Sequence, residues 1–110
     1  MLAVLLAFDV KPGSEAEFVE TWEHTTHIIY QHFGGLGSRL HRSEDGQFIA
    51  YAQWPDLEVY ESEQIWTDEH AAVRQQMRNT LIGGRPASIR ILSVVSDLIK
   101  DYPCDRNDGR

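Results

Sequence analysis

The tripeptide Glu44-Asp45-Gly46 is the feature that most narrows the folds open to this chain. It separates two strand-like runs, residues 36–43 and 47–54. An Asp-Gly turn between such runs is the strongest short-range signal for a β-hairpin. The sequence therefore predicts two antiparallel strands, the second and third of the chain, joined by a tight turn.

A strand and a helix are predicted before the hairpin. Residues 2–10 form a short apolar run that Lys11-Pro12-Gly13 ends, which favours a strand over a helix. Ser14 and Glu17 have the spacing of a capping box at a helix start. At 100° per residue, one side of this helix carries a core stripe formed by Phe18, Trp22, Thr25, Ile29 and Phe33. Gly34-Gly35 is a typical helix end.

Two helices and a last strand are predicted after the hairpin. Asp56 is placed to cap a short helix over residues 57–64, and Thr67 or Asp68 to cap a longer one that reaches about Leu81. One stripe of the longer helix contains Trp66, His70, Val73, Met77 and Leu81. Residues 87–98 are expected to form a long last strand that is apolar on both faces.

The resulting order, β-α-β-β-α-β, is that of an α+β ferredoxin-like fold, in which an antiparallel four-stranded sheet carries both helices on one face. The other face is left uncovered, and the first and last strands are apolar there as well. Such a face usually marks an interface, so we expect a two-fold homodimer. The domain is expected over residues 1–102, followed by a polar C-terminal tail over 103–110.

Charge and cysteine content exclude several classes of protein. Ten Lys and Arg against 17 Asp and Glu give a net charge of -7, which disfavours nucleic-acid and anionic membrane partners. The one cysteine, Cys104, lies in the tail without a partner for an internal disulfide. The apolar run 2–8 is far shorter than the roughly 20 residues of a membrane-spanning helix. We therefore expect a soluble cytoplasmic protein.

Three segments carry a family resemblance: VKPGSEAEF at 10–18, GGLG at 34–37 and QWPDLEVY at 53–60. Over about residues 2–98, the chain resembles the antibiotic biosynthesis monooxygenase family of the dimeric α+β barrel superfamily. The resemblance implies a dimer of ferredoxin-like protomers, each with a ligand cavity between sheet and helices. Members of the superfamily include cofactor-free oxygenases of quinols and anthrones, haem-degrading enzymes and isomerases.

The implied cavity gives a place for four candidate ligand-binding residues. Trp54 matches the family's tryptophan at the end of strand three, where its ring either contacts a planar ligand or packs the helices against the sheet. Tyr60 and Trp66 would shape the same cavity. Arg90 on the last strand could orient an acidic or phenolic substrate, and an exposed position on the sheet is its alternative.

His70 is the candidate catalytic residue, because it lies on an otherwise apolar helical stripe. A half-buried imidazole near pH 7 can accept a proton from a phenol or ligate haem iron. The alternative is a core histidine that is hydrogen-bonded to backbone or water. Haem-degrading relatives use an asparagine on the first strand, which this chain lacks, so haem binding or degradation is a minor alternative.

No metal or cofactor site is predicted. Glu20, His24, His27 and Gln31 share one side of the first helix, but this is its solvent side, where polar residues are usual. The GGLG segment follows a helix, so it lacks the strand-turn-helix setting of a dinucleotide-binding loop, and no P-loop is present.

Two functions remain open. One is a small cofactor-independent monooxygenase that acts on an aromatic or quinol-type molecule. The other is a non-catalytic ligand-binding or structural dimer of the same fold. An open cavity between sheet and helices favours the first, and a space filled by Trp54, Trp66 and Met77 favours the second.

Overall fold

The computed structural model describes residues 1–99. Its elements in chain order are β1 Leu2–Phe8, α1 Glu15–His32, β2 Ser38–Arg42, β3 Phe48–Trp54, α2 Leu57–Glu61, α3 Asp68–Asn79 and β4 Ala87–Ser93. The strands form one antiparallel sheet in the order β2-β3-β1-β4, which confirms the predicted ferredoxin-like α+β fold. The sheet is not closed into a barrel. The predicted tail 103–110, with Cys104, lies outside the described residues.

The predicted hairpin is present between β2 and β3, which pair from Arg42 opposite Phe48 onward. The Asp45 carboxylate accepts hydrogen bonds from the Ser43 hydroxyl and, at 3.0 Å, from the backbone N–H of Gln47. Both bonds favour the ionised form, so they lower the pKa of Asp45. Gly46 has a φ of 88°, a conformation that glycine adopts without steric cost.

The helices cover one face of the sheet. Successive strand residues point to opposite faces, and the even-numbered residues of β1 are the ones that meet the helices. At one end of this layer, Phe18 packs between Phe8 and Phe48, with ring centroids 5.1 and 5.0 Å apart. We call this cluster the filled end; it also contains Ala50, Met77 and Leu81. A smaller cluster of Leu2, Val4 and Trp54 packs against α1 and α2 at the other end.

Two of the three predicted helix caps are present. Asp56 accepts from the backbone N–H of Val59 at 2.8 Å, and Thr67 accepts from that of His70 at 3.1 Å. The capping box at Ser14 was wrong, since this serine makes no side-chain cap hydrogen bond. Its backbone lies at φ -103°, ψ 9°, outside the extended region in which an N-cap hydroxyl reaches the free N–H groups. Instead, the Glu15 carboxylate accepts from the N–H of Gly13 at 3.0 Å.

Two predicted element bounds are corrected. Trp66 precedes the cap of α3 rather than lying on that helix, since Thr67 is extended at ψ 162°. The last strand ends at Ser93 instead of residue 98. Ser93 pairs with Leu2, the first residue of β1, so no partner strand continues beyond that point.

The second face of the sheet is not covered by the helices. The odd-numbered residues of β1 point to it, and Arg90 joins them because it pairs with Leu5. We call this side the open face. Strand β4 is exposed throughout, with Ile89 47%, Ile91 49% and Leu92 39% accessible to solvent. Apolar side chains of β4 therefore remain in contact with water along this edge of the sheet.

Candidate functional site

A cavity of about 340 Å³ lies between the sheet and the helices. Its floor is made by small side chains, because Ala50 and Ala52 follow each other on the helix-facing side of β3. Large side chains flank them on the same strand, Phe48 on one side and Trp54 on the other. Two small residues between two large ones therefore leave space over the middle of β3. The space between sheet and helices is therefore open rather than filled by Trp54, Trp66 and Met77.

Aromatic rings form the walls of this cavity. Its lining includes Trp22, Tyr30, Trp54, Tyr60 and Trp66. Trp54 and Tyr60 meet edge to face with centroids 5.4 Å apart, and Trp66 packs against Phe33 at 5.0 Å. Such rings offer flat apolar surfaces that suit a planar aromatic ligand.

Gly35 lets the chain pass close to the aromatic wall. A Cβ atom at this position would lie 3.1 Å from the side chain of Ile29 and 3.6 Å from the Trp54 ring. Any larger residue would therefore press on the cavity wall between α1 and β3. Gly35, one of the two glycines predicted as a helix end, thus also shapes the site.

Two arginines of α3 complete the lining. The Arg74 guanidinium lies 4.3 Å from the centre of the Trp66 ring, in a cation–π contact. Arg78 stands one helical turn further on, and its Nε atom is buried without a hydrogen-bond partner in the described structure. Burial, Arg74 and Arg85 all lower the pKa of Arg78, because each disfavours its charged form.

Tyr30 lies at the exposed margin of the cavity and shares a hydrogen bond of 2.5 Å with Nδ1 of His27. Two further hydroxyls in the lining already donate hydrogen bonds to backbone carbonyls. Thr25 donates to the carbonyl of Thr21 at 2.8 Å, and Ser38 donates to that of Tyr51 at 3.1 Å. Among the buried side-chain nitrogen and oxygen atoms of the described residues, only the Nε of Arg78 lacks a hydrogen-bond partner.

The structure brings three of the predicted site residues together. Trp54, Tyr60 and Trp66 all line the cavity. His70 is half-buried but is not among the lining residues, and its ring lies against that of His32 with centroids 5.0 Å apart. Arg90 is exposed on the open face of the sheet. The roles predicted for His70 and Arg90 stay predictions.

Sequence reasoning missed Arg74 and Arg78. Their spacing of four residues places them on one side of α3, next to the buried Met77. Charged residues beside an apolar stripe are normally solvated, so the spacing alone gave no reason to place them in a cavity. Trp22 was predicted as core, and the structure shows that it is half-buried and lines the cavity.

A second concavity, of about 520 Å³, lies on the opposite side of β2 and β3. Its lining is more polar and includes Arg39, His41, Tyr51 and Asp97. Of these, Arg39, His41 and Tyr51 are strand residues on the open face. Within residues 1–99, no three His, Cys, Asp or Glu side chains are grouped so that they could hold a metal ion. No helix in that range has the length and apolar character needed to cross a bilayer.

A four-stranded antiparallel sheet with helices on one face and an aromatic-lined cavity beneath them defines a ferredoxin-like α+β protein. The family model described as antibiotic biosynthesis monooxygenase matches residues 1–75. The chain belongs to this family, which confirms the resemblance seen in the sequence. No curated protein matches the sequence.

Solved structures of low sequence identity share the fold. A Bordetella bronchiseptica protein that carries the family's name is 16% identical with a TM-score of 0.70, and the match covers 86% of this chain and 97% of that one. SnoaB, a cofactor-independent oxygenase from Streptomyces nogalater, is 17% identical with a TM-score of 0.65, covering 90% and 97%. The monooxygenase ActVA-Orf6 of Streptomyces coelicolor, in complex with nanaomycin D, is 20% identical with a TM-score of 0.65, covering 91% and 92%.

Proposed function

We propose that the protein is a small cofactor-independent monooxygenase that acts on an aromatic or quinol-type molecule in the helix-sheet cavity. The observation that carries this proposal is the open cavity of about 340 Å³ with tryptophan and tyrosine walls. Its volume is in the range of small-molecule sites. Family membership supports the proposal, as do a relative that is a cofactor-independent oxygenase and another that binds nanaomycin D.

The chemistry needs no external reductant. A quinol and dioxygen give a hydroxyquinone and water, so the substrate supplies all four electrons, one oxygen atom enters the product and the other leaves as water. Loss of the phenolic proton starts this reaction, because a phenolate gives up an electron to dioxygen more readily than a phenol. Arg74 and Arg78 would stabilise the developing negative charge. Trp54, Tyr60 and Trp66 would hold the ring.

Oxygen uptake with a panel of quinols tests the activity. Trp66→Ala removes a cavity wall, and we expect it to lower kcat/KM at least tenfold for any quinol that the protein oxidises. The matched control is Ile65→Ala, because Ile65 is the neighbouring residue and 79% of it is exposed. Equal rates for the wild type and Trp66→Ala would contradict turnover in this cavity.

His70 is the proposed proton acceptor, and it lies on α3 one helical turn before Arg74. If this role is right, His70→Leu should abolish quinol-dependent oxygen uptake while the fold is retained. The wild-type rate should then rise with pH over the range in which an imidazole loses its proton. Activity that survives His70→Leu with an unchanged pH profile would remove His70 from the mechanism.

A non-catalytic ligand-binding protein of the same fold is the second candidate. It is favoured by one observation: no His, Asp or Glu lines the cavity within the described part of the chain. Binding of aromatic ligands without any oxygen uptake would identify this function. Haem binding is the minor alternative, and a Soret band on addition of haemin would reveal it.

The proposal includes a homodimer formed through the open face, in a protein of the cytoplasm. Exposed Leu92, which pairs with Ala3 on this face, supports the dimer, since burying apolar surface yields about 25 cal/mol for each Å². Leu5, Ile49 and Tyr51 lie on the same face at half-buried positions. Sedimentation that gives a monomer at micromolar concentration would contradict this part of the proposal.

A further inference from the structure

We propose that the ligand of this cavity is an aromatic carboxylate, with its ring held between the tryptophans and its carboxylate bound by Arg78 and Arg74. The inference deepens the proposed function and rests on it for the aromatic part of the ligand. The acid group of the ligand follows independently from the charges and the hydrogen-bonding capacity of the cavity wall.

The first observation is an unpaired donor. The Nε atom of Arg78 is buried, and no acceptor within the described residues contacts it. A buried N–H group without a partner is costly, and native structures rarely leave one. Arg78 lines the cavity, so a small movement of its side chain would bring this N–H to an acceptor on a ligand in the same space.

The second observation is uncompensated positive charge. Arg74 and Arg78 both line the cavity, while no Asp or Glu does so within residues 1–99. Burial, Arg74 and Arg85 together lower the pKa of Arg78, because each disfavours its charged form. An anion bound between the two lining arginines would offset both the repulsion and the burial. The chain as a whole has a net charge of -7, so the positive charge at the cavity wall contrasts with the excess of carboxylates elsewhere.

The third observation concerns geometry. The Nε–H and one terminal N–H of a guanidinium form a fork that matches the two oxygens of a carboxylate. A neutral carbonyl or a phenol offers a single oxygen and leaves half of this fork unused. Arg74 stacks on Trp66 at 4.3 Å, so its charge is held at the wall of the cavity that is also lined by aromatic rings. The ring site and the charge site are therefore adjacent.

The test compares two ligands of the same shape, 2-naphthoate and the neutral 2-naphthamide, by isothermal titration calorimetry at pH 7. We expect the full-length protein to bind 2-naphthoate at least tenfold more tightly. Arg78→Met should remove this preference while changing the affinity for 2-naphthamide less than twofold. Arg78→Lys keeps the charge but loses the fork, so it should retain only part of the preference.

The matched control is Arg42→Met. Arg42 also stacks on an aromatic ring, at 4.9 Å from the centre of Phe48, but it does not line the cavity. Both affinities should be unchanged in this variant. Circular dichroism establishes whether each variant is folded. If Arg78→Met does not fold, Arg78→Gln serves as the charge-removing variant in its place.

Three outcomes would overturn the inference: binding of 2-naphthamide as tightly as 2-naphthoate, no binding of either compound, or a preference that survives in the Arg78 variants. Oxygen uptake is measured separately with quinols that lack an acid group. Failure of that assay alone counts against catalysis and leaves the carboxylate preference standing. Equal binding of 2-naphthoate and 2-naphthamide, together with oxygen uptake, would contradict the carboxylate preference and leave the proposed catalytic activity standing.

Discussion

The two ends of the helix-sheet layer use the same sheet face for different purposes. At the filled end, Phe18 is fully buried and two further phenylalanine rings contact it. Toward the other end, a cavity lies over Ala52, next to Ala50, and Trp54 and Trp66 border this cavity without filling it. This difference shows that the order of large and small residues along β3 decides which part of the helix-sheet layer is packed and which part stays open.

One of the two largest expected effects is at the filled end. Phe18→Ala should lower the free energy of unfolding by about 3 to 5 kcal/mol, because a fully buried ring leaves a cavity in a close-packed cluster. Urea denaturation measures this loss. A loss below about 1 kcal/mol would show that the filled end is not the main source of stability.

The tryptophans at the cavity should differ from one another. Trp54 is only 5% exposed, so Trp54→Ala should cost about 3 to 5 kcal/mol of unfolding free energy. Trp66 is half-buried and contacts Phe33 and Arg74, so Trp66→Ala should cost only about 1 to 2 kcal/mol. Thermal and urea unfolding of both variants test this order. The reverse order would mean that Trp66 belongs to the core and Trp54 to the site.

Filling the cavity should separate binding from stability. In Ala52→Leu the added side chain enters space that is already empty, so the free energy of unfolding should change by less than about 1 kcal/mol. The affinity for 2-naphthamide should fall at least tenfold, because the ring site is occupied. Ala72→Leu, at an exposed position of α3, is the control and should leave binding unchanged. Undiminished binding in Ala52→Leu would place the ligand elsewhere.

The smallest effect is expected on the outer side of α1. His24 and His27 are exposed, so exchanging both for Gln should change the free energy of unfolding by no more than about 0.5 kcal/mol. The hydrogen bond between His27 and Tyr30 is also at the surface. A larger loss in thermal unfolding, or a loss of bound zinc detected by metal analysis, would show that this side has a structural role.

Local signals explain what the sequence predicted well. The Asp45-Gly46 turn and the caps at Asp56 and Thr67 depend on a few neighbouring residues, and all three are present. The cap at Ser14 was wrong because it depends on a backbone conformation that the sequence does not reveal. The last strand ends early because its partner β1 begins at Leu2, which is a long-range fact.

The site was predictable only in part, for the same physical reason. Trp54, Tyr60 and Trp66 line the cavity, as expected from the family resemblance and their aromatic character. Arg74 and Arg78 could not be assigned, because their place in the wall depends on how α3 packs against β3 and α1. A hydrophobic period identifies which side of a helix is buried, but not whether the space beneath it is filled.

The short helix α2 has a consequence for the entry of a ligand. It has five residues, none of them buried, yet Tyr60 at its end forms part of the cavity wall. A helical turn with so little buried surface opens at a small free-energy cost compared with global unfolding. We therefore expect the amide hydrogens of residues 57–61 to exchange with solvent much faster than those of β1. The cavity would then admit its ligand by local opening of this turn, while the sheet stays intact.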